Sequence, residues 1–334
     1  MKQKSFFLAL AMFCNVLVGQ ENLPDTFLPV LDVPFADSMK MNDYPKLNKG
    51  SVEGLVFEFF KKEYENIRSA CISVQDECKI PKLFHYIWLG TKLPDQYKPY
   101  LQSWLDHHPD WMFLIWVDNE QNYDLGMVLE DADFGFIQEF LADENYRGGV
   151  FVVDVKNLVY DNKIFFDGTR NYGERSDILR WELLFRFGGT YIDVDFECFK
   201  PFDVLHHMYD FYTGLQPMDT CSVQFGSGLV GAVPGHPILR CCVETISADQ
   251  SLPIVTRTGP VHFMYSFFEE FSKNSDLINA VLPAGYFYPR GFKQPEEPKE
   301  LWIRPESFAT HHWAGSWLKQ EGWINFKFKK KGCF

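Results

Sequence analysis

Asp193-Val194-Asp195 places two carboxylates two residues apart at the end of a short apolar run. In an extended strand residues i and i+2 share a face, so both acids are expected to point the same way. Two like charges that close need a cation, and hard oxygen ligands suit Mg2+ or Mn2+, which keep positions for water and phosphate oxygens. The spacing alone says little, because Asp131-Ala132-Asp133 repeats it with nothing nearby that suggests a site. What distinguishes the second copy is its setting on a buried strand end, where an unpaired acidic pair would be costly. Asp177 and Arg180, three apart, share a face of the preceding helix. On so apolar a helix they either pair with each other or face a polar cavity. In such a cavity Arg180 could hold phosphate or sugar oxygens while Asp177 accepts from sugar hydroxyls.

The elements around these residues follow a strand–helix rhythm. Leu83 to Trp88 reads as a strand, Asp95 to His107 as a helix and Trp111 to Val117 as a second strand, a βαβ unit that points to a parallel sheet with crossover helices. Residues 120 to 173 are ambiguous. Glu174 to Phe187 is expected as a buried helix, apolar nearly all round, which Gly188-Gly189 terminate. A strand from Thr190 to Asp195 should follow. Further on we expect a strand near Leu229–Val233, helices at Ile238–Ile246 and Pro260–Ser272, and strand-like pieces at Ala284–Tyr288 and Phe308–His312. Residues 52 to 68 read as a helix packing on this body. The fold class is therefore α/β.

Three blocks together resemble glycosyltransferase family 32, the DXD-containing sugar-binding group. Ile80-Pro81-Lys82-Leu83-Phe84-His85-Tyr86-Ile87-Trp88-Leu89-Gly90 is similar to its opening strand. Arg175-Ser176-Asp177-Ile178-Leu179-Arg180, through Gly188-Gly189-Thr190-Tyr191-Ile192-Asp193-Val194-Asp195, is similar to its central block. His311-His312-Trp313-Ala314-Gly315-Ser316-Trp317 is similar to its closing motif. The resemblance implies a GT-A fold with a mainly parallel sheet, and a retaining transfer of a hexose (mannose, glucose or galactose type) from a nucleotide-diphosphate sugar to a glycan, glycolipid or protein acceptor. It also implies roles. Trp88 stacks on the nucleotide base, and Asp177 and Arg180 contact the donor sugar. Asp193 contacts ribose and metal, and Asp195 ligates the metal, Mn2+ or Mg2+. His311 or its neighbour His312 completes the metal or diphosphate site, with Ser316 and Trp317 beside it. Thr258-Gly259-Pro260, opening a helix, resembles a further family element, although a plain helix cap reads equally well. One departure stands out: Phe225-Gly226-Ser227-Gly228-Leu229 has no Asn before the Leu, where relatives often carry one.

The implied organisation is 1–19 as signal peptide or short signal-anchor, 20–78 as irregular stem plus N-terminal helix, 79–320 as the GT-A domain and 321–334 as a basic tail. The leader rests on Lys2 and Lys4 ahead of the apolar run Phe6 to Val18, which is short for the ~20 residues of a membrane-spanning helix. It directs the chain to the secretory pathway, as a Golgi-type lumenal or membrane enzyme, or outward as a secreted effector. Peripheral or anchored membrane association is an expectation from the same segment; the Lys-rich tail could touch anionic lipid, although a solvated end is the simpler reading. Of the 334 residues, 32 are Lys or Arg and 45 Asp or Glu, so the net charge of −13 argues against nucleic acid as a partner. Cys71 and Cys78 are spaced for a local disulfide, with no C-x-x-C to suggest structural zinc. Asp133-Phe134-Gly135 lacks the partners of a kinase, and no nucleophile elbow, zincin helix or Walker loop occurs. The competing readings are a non-catalytic secreted carbohydrate-binding protein on the same fold, and a glycoside hydrolase using two carboxylates.

Overall fold

Leu83–Trp88 (β1) and Met112–Val117 (β2) are nearly unbroken apolar runs, and both are buried along their length. That pattern belongs to strands covered on both faces, as the inner strands of a parallel sheet are. The computed structural model describes residues 33–39, 50–70, 74–130, 132–143, 148–218, 222–274, 276–294 and 297–315. The leader at 1–19, most of the stem, Asp131, Cys71, Ser316, Trp317 and the tail after 320 lie outside the described residues.

The remaining strands are Met127–Leu129 (β3), Gly149–Asp154 (β4), Gly189–Ile192 (β5), Phe196–Cys198 (β6), Phe211–Leu215 (β7), Phe225–Ala232 (β8), Asn279–Leu282 (β9) and Ala309–His311 (β10). Eight of them form one sheet in the order β3-β4-β2-β1-β5-β8-β7-β9, and β6 pairs with β10 in a separate two-stranded ribbon. Five of the seven pairings in the large sheet are parallel; only β8 runs against its two neighbours. The protein is thus a mixed α/β fold with a mainly parallel sheet flanked by helices. Those helices include Val52–Ser69 (α1), Lys98–His107 (α2), Phe134–Ala142 (α3), Tyr172–Phe187 (α4), Pro237–Glu244 (α5) and Pro260–Phe271 (α6).

Helix α4 is the element that most directly sets the site. Asn171 caps it by accepting from the Glu174 N–H. Its apolar residues are buried on nearly every side, with Ile178, Leu179, Trp181, Leu183 and Leu184 in the core. Gly188 and Gly189 end it with φ of 63° and 82°. Both must be glycine, because a Cβ on Gly189 would stand 2.5 Å from the Leu83 carbonyl and one on Gly188 2.6 Å from Pro234. The two glycines turn the chain directly from α4 into β5.

Several expectations need correction. The strand after α4 stops at Ile192, because the Phe196 N–H donates to the Asp193 carbonyl and closes a turn. Asp193 and Asp195 therefore sit in a turn, not on a strand face. Ala284–Tyr286 is a 3-10 turn, and the strand lies just before it as β9. Asp133 of the other D-x-D caps α3 through the Phe136 N–H, which accounts for it structurally. The stem is not wholly a spacer. Phe35 and Met39 are in the core, Tyr64 Oη of α1 donates to the Val33 carbonyl, and the Phe35 N–H donates to Glu65. Cys78 keeps a free thiol against His207 Nε2 at 3.0 Å, and burial pushes its pKa up to about 11.

Candidate active site

β5 and β8 lie side by side, and the turn leaving β5 stays tied to β8 because the Asp193 N–H donates to the Gly228 carbonyl at 2.8 Å. β6 then starts at Phe196 and pairs with β10 so that His311 stands opposite Phe196. This ribbon carries the closing histidine back to the turn. His311 Nε2 lies 3.1 Å from Asp195 Oδ1 and 3.9 Å from Asp193 Oδ2. One ligand atom from each of Asp193, Asp195 and His311 falls within 4.8 Å of the others.

Asp195 is held on all sides. Its Oδ2 accepts from the Ala314 N–H at 2.8 Å and its carbonyl from the His312 N–H at 2.9 Å. Trp313 makes the first contact possible by adopting φ 55°, a left-handed conformation that is uncommon outside glycine. Burial raises the Asp195 pKa, but His311 and the Ala314 N–H outweigh it and hold the carboxyl below its usual range. His311 answers in the opposite sense: burial lowers its pKa, and Asp195 with Asp193 brings it above the ordinary value. Its Nδ1 makes no hydrogen bond among the described residues. Asp193 remains partly exposed, with 31% of its side chain accessible. Two carboxylates and an imidazole, with one acid open to solvent, form a donor set that fits a divalent ion of the Mn2+ or Mg2+ kind.

Arg180 and Asp177 do pair, at 3.1 Å. Arg180 does more than that. Its Nη1 donates to the Ser227 carbonyl at 2.7 Å, and its Nη2 donates to Tyr191 Oη at 3.1 Å and lies 3.4 Å from Asp193 Oδ1. The guanidinium stacks on the Tyr191 ring at 4.1 Å. Burial opposes its charge, yet Tyr191, Asp177 and Asp193 hold it ionised. Asp177 behaves differently: burial pushes its pKa up to about 7 against the pull of Arg180, with Asp193 adding to the rise. Thr258 Oγ1 donates to Asp177 Oδ2 at 3.3 Å, which connects the Thr258-Gly259-Pro260 segment opening α6 to this cluster.

Trp88 ends β1 near the same turn. Its indole N–H donates to the Thr91 carbonyl, its ring packs against Tyr97 at 5.5 Å, and with Val194, between the two acids, it lines one small apolar hollow. His312 turns elsewhere, bonded to Glu197 Oε2 at 3.0 Å and stacked on Tyr100. Asp193, Asp195, His311, Arg180 and Asp177 are thus connected through direct contacts, with Trp88 beside their turn. Sequence reasoning overlooked Tyr191, whose hydroxyl donates to Asp193 Oδ1 at 2.6 Å. It could have been found, since Tyr191 stands two residues before Asp193. The Ser227 carbonyl and the Ala314 amide left no such signal.

The sheet and this cluster define the molecule as a mixed α/β protein that carries a buried site of two carboxylates and an imidazole. Residues 94–212 match the family described as the glycosyltransferase sugar-binding region containing DXD motif. It is 24% identical over 257 residues to inositol phosphoceramide mannosyltransferase 2 of Schizosaccharomyces pombe, covering 75% of this chain and 62% of that protein. It is 25% identical over 191 residues to alpha-1,4-N-acetylglucosaminyltransferase of Homo sapiens, covering 52% of this chain and 54% of that one. The chain therefore spans less than two thirds of the length of these relatives. Among solved structures, the PaToxG glycosyltransferase overlaps 65% of this chain and 80% of its own at a TM-score of 0.45 and 17% identity.

Proposed function

We propose that this protein transfers a hexose, with retention of configuration, from a nucleotide-diphosphate sugar to an acceptor, using Mn2+ or Mg2+ held by Asp193, Asp195 and His311. The observation that carries the reading is the meeting of those three side chains within 4.8 Å, next to a buried arginine. When bound, the ion acts as a Lewis acid toward the departing diphosphate. The remaining work falls to the protein. Arg180 fixes Asp193 and adds a preorganised positive charge where negative charge grows. Asp177, with its pKa near 7, can accept from or donate to a sugar hydroxyl. Trp88 offers a ring for the base.

The fungal relatives are named for inositol phosphoceramide, which favours mannose as the sugar and a glycolipid as the acceptor over a glycan or protein. A lumenal place in the secretory pathway, or delivery as a secreted effector, suits both the leader and the relatives, with the protein anchored at or resting on a membrane. Among the described residues no helix is long and apolar enough to cross one. Calorimetry with GDP-mannose and UDP-hexoses, with and without Mn2+, tests the proposal, and release of nucleoside diphosphate tests turnover. A variant with Asp193→Ala and Asp195→Ala is expected to lose metal-dependent donor binding. If it binds as well as the parent, the site assignment is wrong. Binding without release would instead identify a non-catalytic carbohydrate-binding protein.

A further inference from the structure

The stretch of β8 beneath the acidic pair is built from glycines. Gly226 and Gly228, two apart, share a face of the strand. A Cβ on Gly228 would stand 2.6 Å from Asp193 Oδ2, and one on Gly226 would collide with the hydroxyl end of the Tyr288 ring. Across the sheet, a Cβ on Gly214 of β7 would lie 3.1 Å from Cε2 of the same ring. The glycines therefore clear a single floor for two side chains, the Asp193 carboxylate and the Tyr288 phenol.

Tyr288 is fully buried there. Phe196 meets its ring at 5.4 Å and 75°, and His311 at 5.9 Å and 84°. Trp313 closes on it at 5.7 Å. The ring is fixed in place and touches the aromatic neighbours of the acidic turn. Its oxygen is within reach of the Gly228 backbone N–H, and its O–H donates to no acceptor among the described residues. A buried O–H left unpaired costs about 1–3 kcal/mol, which a phenylalanine in the same slot would avoid. The result is a rigid, unspent donor on the same glycine floor as the Asp193 carboxylate.

We propose that Tyr288 is a positioning residue for cation binding: its hydroxyl supplies the hydrogen bond that holds the Asp193–Asp195 pair in its ligating arrangement once a divalent ion is present. This rests on the reading of Asp193, Asp195 and His311 as the ligands. The test is calorimetric titration of Mn2+ into the metal-free parent and into Tyr288→Phe, with the thermal midpoint of each measured without metal. The expected result is at least about tenfold weaker Mn2+ binding by the variant, the size usual for losing a group that orients a ligand, at a metal-free midpoint equal to or above the parent's. Equal Mn2+ affinity in the two proteins overturns the proposal. A lowered midpoint accompanying weaker binding also overturns it, because the hydroxyl would then be supporting the fold. A parent that binds no Mn2+ at all refutes the cation reading itself, and this inference with it.

Discussion

Two clusters of buried polar side chains occupy opposite faces of β5 and are built differently. On one face Thr190 Oγ1 meets His206 Nε2 at 2.9 Å and Tyr212 Oη at 2.6 Å, while His206 Nδ1 donates to the Ile80 carbonyl. Every group there is neutral and has partners. On the other face Tyr191 joins Arg180 and Asp193, and the next turn adds Asp195 and His311. Here charge is buried, and Arg180 Nε and His311 Nδ1 have no hydrogen-bond partner among the described residues. A neutral, satisfied network specifies a core. A charged network with open valences marks a place where a ligand completes the set, as perturbed groups tend to do at functional sites.

Acid should act first, and with the largest effect, through the histidines that the fold keeps neutral, His206 of the neutral cluster among them. Burial pushes the pKa of His85 down to about 4, His108 to about 4, His236 to about 4 and His206 to about 3. Each sits between one carbonyl-type acceptor and one donor, which fixes a neutral tautomer: His108 donates to the Trp104 carbonyl and accepts from the Phe202 N–H. For a group whose folded pKa is depressed, stability is complete above the unfolded value near 6.5 and is lost as pH falls toward the folded value. The unfolded chain takes up the proton that the fold refuses, so each histidine costs about 1.4 kcal/mol per pH unit within that window. His262, lowered by burial as well, adds to them, and His311, with its pKa raised, works in the opposite direction, one against five among the described residues. Denaturant melts at pH 7.5, 6.5 and 5.5 should show a steep decline below 6.5. A flat profile would mean these imidazoles carry charge in the fold, and the contrast between the clusters would vanish.

The charged side should fail in function instead. Asp195→Asn keeps the shape and the acceptor for the Ala314 N–H but removes a ligand charge. Nucleoside diphosphate release should fall by about 10³-fold, the scale of losing a principal electrostatic contact in a transition state, with little change in thermal midpoint. The reciprocal variant, His206→Leu, should do the reverse. It removes the Ile80 contact and one partner of Thr190, which keeps Tyr212. A loss of about 1–3 kcal/mol in a denaturant melt is expected, with donor binding retained.

The charged side was also the more legible of the two from sequence. Asp177 and Arg180 are three apart on a helix, and Asp193 and Asp195 follow a glycine pair, so short-range spacing alone brings them near each other. Even so, the reason given for the acidic pair was wrong, because a turn closed by the Phe196 N–H replaces the expected strand. Period-two spacing survived the error, since both geometries leave the two carboxylates close. The neutral side could not be read. Thr190 and Tyr212 come from β5 and β7, which sheet order brings together, and His206 from the short helix Asp203–Met208; no local pattern encodes that meeting. β6 and β10 are three residues each, too short to show a period, yet they bring His311 to Asp195. Tyr288 was assigned to a strand, and its place beneath Asp193 depends on glycines sixty residues upstream in β8.

Arg180→Lys is the smallest change and the sharpest probe of how the charged cluster is organised. The guanidinium spans the Ser227 carbonyl, Tyr191, Asp177 and Asp193 at once, with its carbon over the Tyr191 ring at 4.1 Å. An ammonium keeps the charge but cannot reproduce the planar fork. If Arg180 acted only through its net charge, the lysine variant would bind nucleoside diphosphate with Mn2+ like the parent. If it acts by holding Asp193 in register, Asp193 is released and the affinity should fall by about tenfold, roughly 1.4 kcal/mol. Calorimetry at fixed Mn2+ concentration, set beside the thermal midpoint, distinguishes the two. A loss of affinity with an unchanged midpoint means that this arginine orders the site; a loss of midpoint with unchanged affinity would move Arg180 to the structural side of β5, alongside His206.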